Sequence, residues 1–175
     1  MIIKNCELYF AKLDPARPNA KFNKKNPTWE LQIRTSDQET RKYWTQIGLN
    51  VKPVVPDEGE PFFRVNLRKK SSKEDGEKAS PVDVVDAQLN PVDAKSIGNG
   101  SIGNVRVFQY EYTREGGGKG IASVLMGVQL LKHIVYVPKP RDDDFEPEGE
   151  TEVYAPEVYI GALDGYAPEE EDINF

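Results

Sequence analysis

The chain predicts a mainly β fold: a small closed or nearly closed antiparallel barrel with one short helix, followed by an acidic C-terminal tail. Three observations carry this expectation. Apolar residues alternate with a period of two over about six separate runs, glycine-bearing connections separate those runs, and only one stretch has helical spacing. No internal repeat interrupts the pattern.

The first run, Ile2 to Phe10, reads as a strand. From Thr28 to Thr35 the alternation places Trp29, Leu31 and Ile33 on one face and Glu30, Gln32 and Arg34 on the other. The period then changes. Ser36 and Glu39 have the spacing of a capping box, Tyr43, Trp44 and Ile47 fall on one helical face, and Gly48 supplies the stop, so the spacing predicts a helix from Asp37 to Ile47. Phe62 to Lys70 returns to alternation, with Phe63, Val65 and Leu67 opposite Arg64, Asn66 and Arg68. The segment KKSSKEDGEKASP has too little apolar content to pack and predicts an exposed loop. Pro81 to Val92 predicts a short strand and turn, and Lys95 to Gly103 a glycine-rich turn. Asn104 to Arg114 and Lys119 to Val137, separated by Glu115, Gly116, Gly117 and Gly118, read as a long hairpin, with Gly127 bending or bulging its second arm into two strands.

Charge divides the chain more sharply than its total of −6 suggests. Residues 1–139 hold 22 Lys and Arg against 16 Asp and Glu, a balance of +6, whereas residues 140–175 hold Arg141 against 13 acids, or −12. A basic body with an acidic tail points to nucleic acid or to an electrostatically regulated partner, although a solubilising tail has the same composition. The tail also contains EVYAPEVYIGALDGY, apolar enough to dock on the body or on a second copy. No apolar run approaches a membrane span and the N-terminus lacks signal-peptide features, so the expected compartment is the cytoplasm. The lone Cys6 forms no internal disulfide, and with His133 as the single histidine a conventional zinc site is not expected; both read as filler residues.

Catalysis finds little support. GGGKG at Gly116 to Gly120 lacks the leading glycine of a phosphate-cradling loop, where Thr113 stands, and the hydroxyl after the lysine, where Gly120 stands. Lys119 is therefore a basic residue at a hairpin tip. Acid pairs such as Asp83 and Asp86 have the chemistry for acid–base work, but carboxylates in strand ends and turns are usually caps or solvated groups. No catalytic residue, metal or cofactor is assigned.

Binding has better candidates. Arg106, Phe108, Tyr110, Tyr112 and Arg114 alternate along one strand, so one sheet face carries rings flanked by guanidinium groups. Rings stack on unpaired bases and cations meet phosphates. The opposite face, Val105, Val107, Gln109, Glu111 and Thr113, is a mediocre core, so which face points inward stays open at this level. Trp29 and Phe63 are further stacking candidates. Phosphate candidates are Arg64, Arg68, Lys69, Lys70, Arg106, Arg114, Lys119, Lys24 and Lys25, the last two from a Lys12 to Lys25 segment that interleaves cations with Phe22.

The segments PFFRVNLRKK, PVDVVDAQLNPVD, IGNGS and YTREGGGKGIASVLMGVQLLKHIVYV, followed by an acidic tail closing on an aromatic residue, resemble the single-stranded-DNA-binding proteins of short-tailed bacteriophages. The resemblance runs from about Ile3 to Val137 plus the tail. It implies an oligonucleotide-binding (OB) barrel over residues 1–139, no metal, frequent dimerisation, and a tail over 140–175 that occupies the DNA groove until DNA displaces it. Glu169, Glu170, Glu171, Asp172 and Phe175 would then be offered to replication proteins such as the polymerase, helicase or primase. Two other readings stay open on residues alone: a protein-interaction adaptor, and an RNA-binding barrel, since nothing in the sequence reads a 2′-hydroxyl.

Overall fold

The computed structural model describes residues 1–138. Seven strands and one α-helix follow in the order β1 (Ile2–Lys12), β2 (Thr28–Thr35), α1 (Gln38–Gln46), β3 (Lys52–Val54), β4 (Phe62–Lys70), β5 (Asp83–Val85), β6 (Ser101–Thr113) and β7 (Lys119–Lys132), with a single 3₁₀ turn at Ala94–Ser96 before β6. The sheet order β3-β4-β2-β1-β6-β7-β5 is closed by a further parallel pairing of β4 with β7 at Arg68 and Val124. Strands β1, β2, β4, β7 and β6 thereby form a closed barrel, which is the OB-like architecture expected. The acidic tail lies outside the described residues.

Alternation decides what fills the barrel. Trp29, Leu31 and Ile33 from β2, Val65 and Leu67 from β4, Val105 and Val107 from β6 and Leu125 from β7 are all buried. On β6 the question left open by the sequence is answered: the valines point inward, while Phe108, Tyr110 and Tyr112 are 57%, 49% and 43% exposed. Cys6 is part of the core, and burial pushes its thiol pKa up to about 12, so it stays protonated.

Several boundaries differ from expectation for identifiable reasons. The helix is capped by Asp37, not Ser36: its Oδ2 accepts from the backbone N–H of Thr40 at 2.8 Å and from the Thr40 hydroxyl at 2.7 Å. Those bonds hold the Asp37 carboxyl below its usual pKa. Trp44 is buried, but Tyr43 on the same predicted face is half-exposed. β3, with Pro53 at its centre, is an edge strand too short to show alternation. β7 is continuous and not split: Arg106 pairs with Gly127 and Val107 with Leu125, leaving a bulge at Met126. β6 begins at Ser101, three residues earlier than expected, because the glycine at 103 allows two backbones to approach. A Cβ at Gly103 would lie 2.6 Å from the Gln129 carbonyl oxygen. Gly103→Ala is expected to lower unfolding stability by about 1–3 kcal/mol through this overpacking, as read by urea denaturation.

Candidate nucleic-acid interface

The residues that alternate away from the core make a polar, ring-bearing track across the barrel. Register places Lys12 beside Glu30, Glu30 beside Arg68, Arg68 beside Val124, and Val124 beside Phe108, so one outward row crosses β1, β2, β4, β7 and β6. Two parallel rows lie next to it, Tyr9–Gln32–Asn66 and Glu7–Arg34–Arg64, the latter continuing to Lys52 of β3.

At one end of the track Arg34 sits among three rings. Its guanidinium carbon lies 4.0 Å from the Tyr9 ring centroid, 4.3 Å from that of Phe62 and 5.1 Å from that of Phe10. Burial, and after it the cation of neighbouring Arg64, pull the Arg34 pKa below its ordinary value, with Tyr9 opposing. Phe10 adopts φ of +50°, a costly conformation for a bulky residue, at an irregularity of β1. The Asn99 carboxamide holds it there by accepting from the Phe10 N–H at 2.8 Å. The IGNGS segment therefore has a local task, which is to pin the bulge that turns Phe10 outward.

Hydrogen bonds fix the polarity of the track's centre. Arg34 has only donors, and its Nε–H donates to Gln32 Oε1 at 2.6 Å. The other end of that amide must then be Nε2, which donates to Asn66 Oδ1 at 2.9 Å. Asn66 is left with its NH₂ group directed at the groove. Glu30 accepts from Asn19 and Thr28 and lies 3.5 Å from Arg68 Nε. Two concavities flank this centre. One is lined by Asn50, Lys52, Arg64, Asn66, Arg68 and Ser123; the other lies beneath Phe10, Lys12, Lys21 and Phe22.

The β6–β7 hairpin supplies the second group of rings. Phe108 and Tyr110 have centroids 6.3 Å apart, and Tyr112 lies across Gly120, where any Cβ would come within 2.7 Å of its ring. Arg114 and Lys119 border the cleft between this hairpin and the residues following α1. Lys119 is 3.8 Å from Glu111.

Not every predicted residue joins this track. Trp29 is 3% exposed and its Nε1–H donates to the Asp14 carbonyl at 2.9 Å, so it is a core residue anchoring the loop after β1 and no base can stack on it. Phe63 faces the core side with Val65, half-buried, with the Arg41 guanidinium 5.3 Å from its ring; the outward ring at that end of β4 is Phe62. Lys69 also takes the inward side and donates to the Ser80 hydroxyl at 3.2 Å; burial lowers its pKa. Arg106 is outward but engaged by Asp83 at 2.8 Å, its guanidinium packed over Gly127, where a Cβ would come within 3.2 Å of it. Asp86 accepts from the backbone N–H groups of Gln88 and Asn90, as a turn cap. Lys24, Lys25 and Lys70 are exposed. Tyr9, Phe10, Arg34, Phe62, Gln32, Asn66 and Lys52 were not singled out from sequence. Arg34 and Gln32 were legible as the polar face of β2, but the rings belong to bulges and strand ends where alternation fails.

No protein-family model and no curated protein matches the chain. Solved structures do. The bacteriophage T7 single-stranded-DNA-binding protein gp2.5 superposes with a TM-score of 0.54 at 15% identity, covering 85% of this chain and 97% of that one. The fold is that of the phage single-stranded-DNA-binding proteins. The bacteriophage Enc34 single-stranded-DNA-binding protein gives 0.51 at 17% identity over 94% and 88% of the two chains, and its complex with single-stranded DNA gives 0.52 at 15% identity over 85% and 88%. The closed OB-like barrel agrees with the fold that the resemblance implies.

Trp29 and the hairpin tyrosines should respond oppositely to truncation. Trp29→Ala is expected to lose about 3–5 kcal/mol of stability. The double change Tyr110→Ala and Tyr112→Ala is expected to leave the thermal midpoint within a few degrees of the parent.

Proposed function

We propose that this chain is a non-enzymatic, sequence-tolerant single-stranded-DNA-binding protein acting in phage DNA replication, recombination or repair in the cytoplasm of the bacterial host. The observation that carries the reading is the outward track, on which Tyr9, Phe10 and Phe62 surround Arg34 and the row through Arg68 and Val124 leads to Phe108. Unpaired bases stack on such rings with about 1–3 kcal/mol each, whereas a duplex keeps its base faces covered. Arg64, Arg68, Lys52 and Lys12 lie where the intervening phosphates would pass, and Arg114 and Lys119 extend the cationic border along the hairpin. These contacts read ring faces and charge, not base edges, which supports sequence tolerance.

The tail, residues 140–175, acts in this reading as a competitor for the groove. Its net charge of −12 is opposite in sign to the body's +6. DNA displaces it, and Glu169, Glu170, Glu171, Asp172 and Phe175 then become available to replication proteins, a polymerase or a helicase or primase. Phe175 supplies an apolar ring and an acidic flank, a combination suited to a hydrophobic pocket rimmed with Lys or Arg. A homodimer completes the assembly.

Titration of oligo-dT into the full chain and into a chain ending at Lys139, across a salt series, tests the reading. Tight binding is expected to weaken with salt at a slope of about −3.5 in log K against log salt if about five phosphates are neutralised. Removing the tail should strengthen binding. Absence of binding by both forms, or equal affinity for duplex and single strand, would overturn it.

A further inference from the structure

We propose that the concavity bounded by β3, β4 and β7 is a seat for a single phosphate group, held by Arg64 and closed around by Lys52, Arg68, Asn66, Asn50 and Ser123. The proposal rests on the DNA-binding reading only for the source of that phosphate, a phosphodiester of the bound strand. The cavity is about 310 Å³ and lies where β4 and β7 diverge below their single pairing at Arg68 and Val124, so β3 and the residues after α1 form its far wall.

The polarity of its lining points one way. Lys52, Arg64 and Arg68 are cations with no acceptor. The Arg34 to Gln32 to Asn66 chain of hydrogen bonds forces Asn66 to present its NH₂. Ser123 Oγ already accepts from Gln109 Nε2 at 3.0 Å, which leaves its own proton to donate. Every group of settled orientation thus offers a donor. Among the described residues Arg64 Nε is buried with no hydrogen-bond partner, and no carboxylate pairs with Arg64 or Lys52. A buried donor without an acceptor is costly, and the adjacent Arg34 cation raises that cost. An anion bound by the guanidinium offsets the three cations together, and a turn of the Arg64 side chain toward it brings the buried Nε to an acceptor. A seat of this shape holds one phosphate at a fixed position, so the strand enters the track in one register relative to the Arg34 rings.

Side-chain ¹⁵N spectra of arginine in the full-length protein, with oligo-dT affinities, test this. Inorganic phosphate at constant ionic strength is expected to shift the Arg64 Nε–H signal saturably, and oligo-dT to shift it further. Arg64→Lys keeps the charge but loses the fork, and should weaken oligo-dT binding about 10-fold while the salt slope stays unchanged. Arg64→Gln should also lower the slope by about 0.7. Unchanged melting of both variants establishes that the fold is intact. Oligo-dT binding by the parent with no response of Arg64 to either ligand, or an Arg64→Lys variant of parental affinity, would overturn the seat and leave DNA binding standing. A phosphate response in a protein that does not bind oligo-dT would support the seat for free phosphate and defeat the DNA reading.

Discussion

Closure of the barrel by one parallel contact, Arg68 against Val124, is the constraint on which the rest depends. Without it the sheet is an open ribbon with β4 and β7 as separate regions and both faces available to water. With it, each strand is committed: its alternate residues enter a shared apolar interior, and the others must face out. Trp29, Leu31, Ile33, Val65, Leu67, Val105 and Leu125 take the inside, and the same commitment pushes Arg34, Arg64, Arg68 and Phe108 onto a continuous outer surface. The candidate interface is the complement of the core.

A second consequence follows from how few acceptors this surface contains. Arg34 is a donor-only group wedged among rings, and it sets the orientation of the Gln32 and Asn66 amides in turn. A single half-buried cation therefore propagates donor character across two strands. Glu7 and Glu30 are the exceptions, and the Asn19 and Thr28 bonds that hold Glu30 leave Arg68 only loosely engaged at 3.5 Å. In the proposed reading, a surface this rich in donors suits anions, and its rings suit flat, unpaired bases.

Much of this was legible in the sequence, and what was not has physical causes. Strong alternation located β2 and β4 with their residue limits, because both faces of those strands have consistent partners along their whole length. The β6–β7 hairpin was legible from its glycine turn, but the direction of its faces was not: a strand with Val105 and Val107 on one side and three aromatics on the other is ambiguous until its neighbours are known. Trp29 was placed with the stacking rings as a large aromatic, yet its position on the inward parity of β2 already marked it as core. Phe10 and Tyr9 escaped notice because a bulge breaks the period there, and the bulge depends on Asn99, which is 89 residues away in sequence. Long-range hydrogen bonds of that kind leave no local pattern to read.

The central claim is that the outward row of rings and cations is where a single strand lies. Photocross-linking of the full-length protein to oligo-dT containing 5-iodouracil, followed by peptide mapping of the adducts, tests it most directly. The account predicts adducts at Tyr9, Phe10 or Phe62 and at Phe108 or Tyr110. Adducts confined to the surface around the Arg106–Asp83 pair, with none on either ring group, would contradict it.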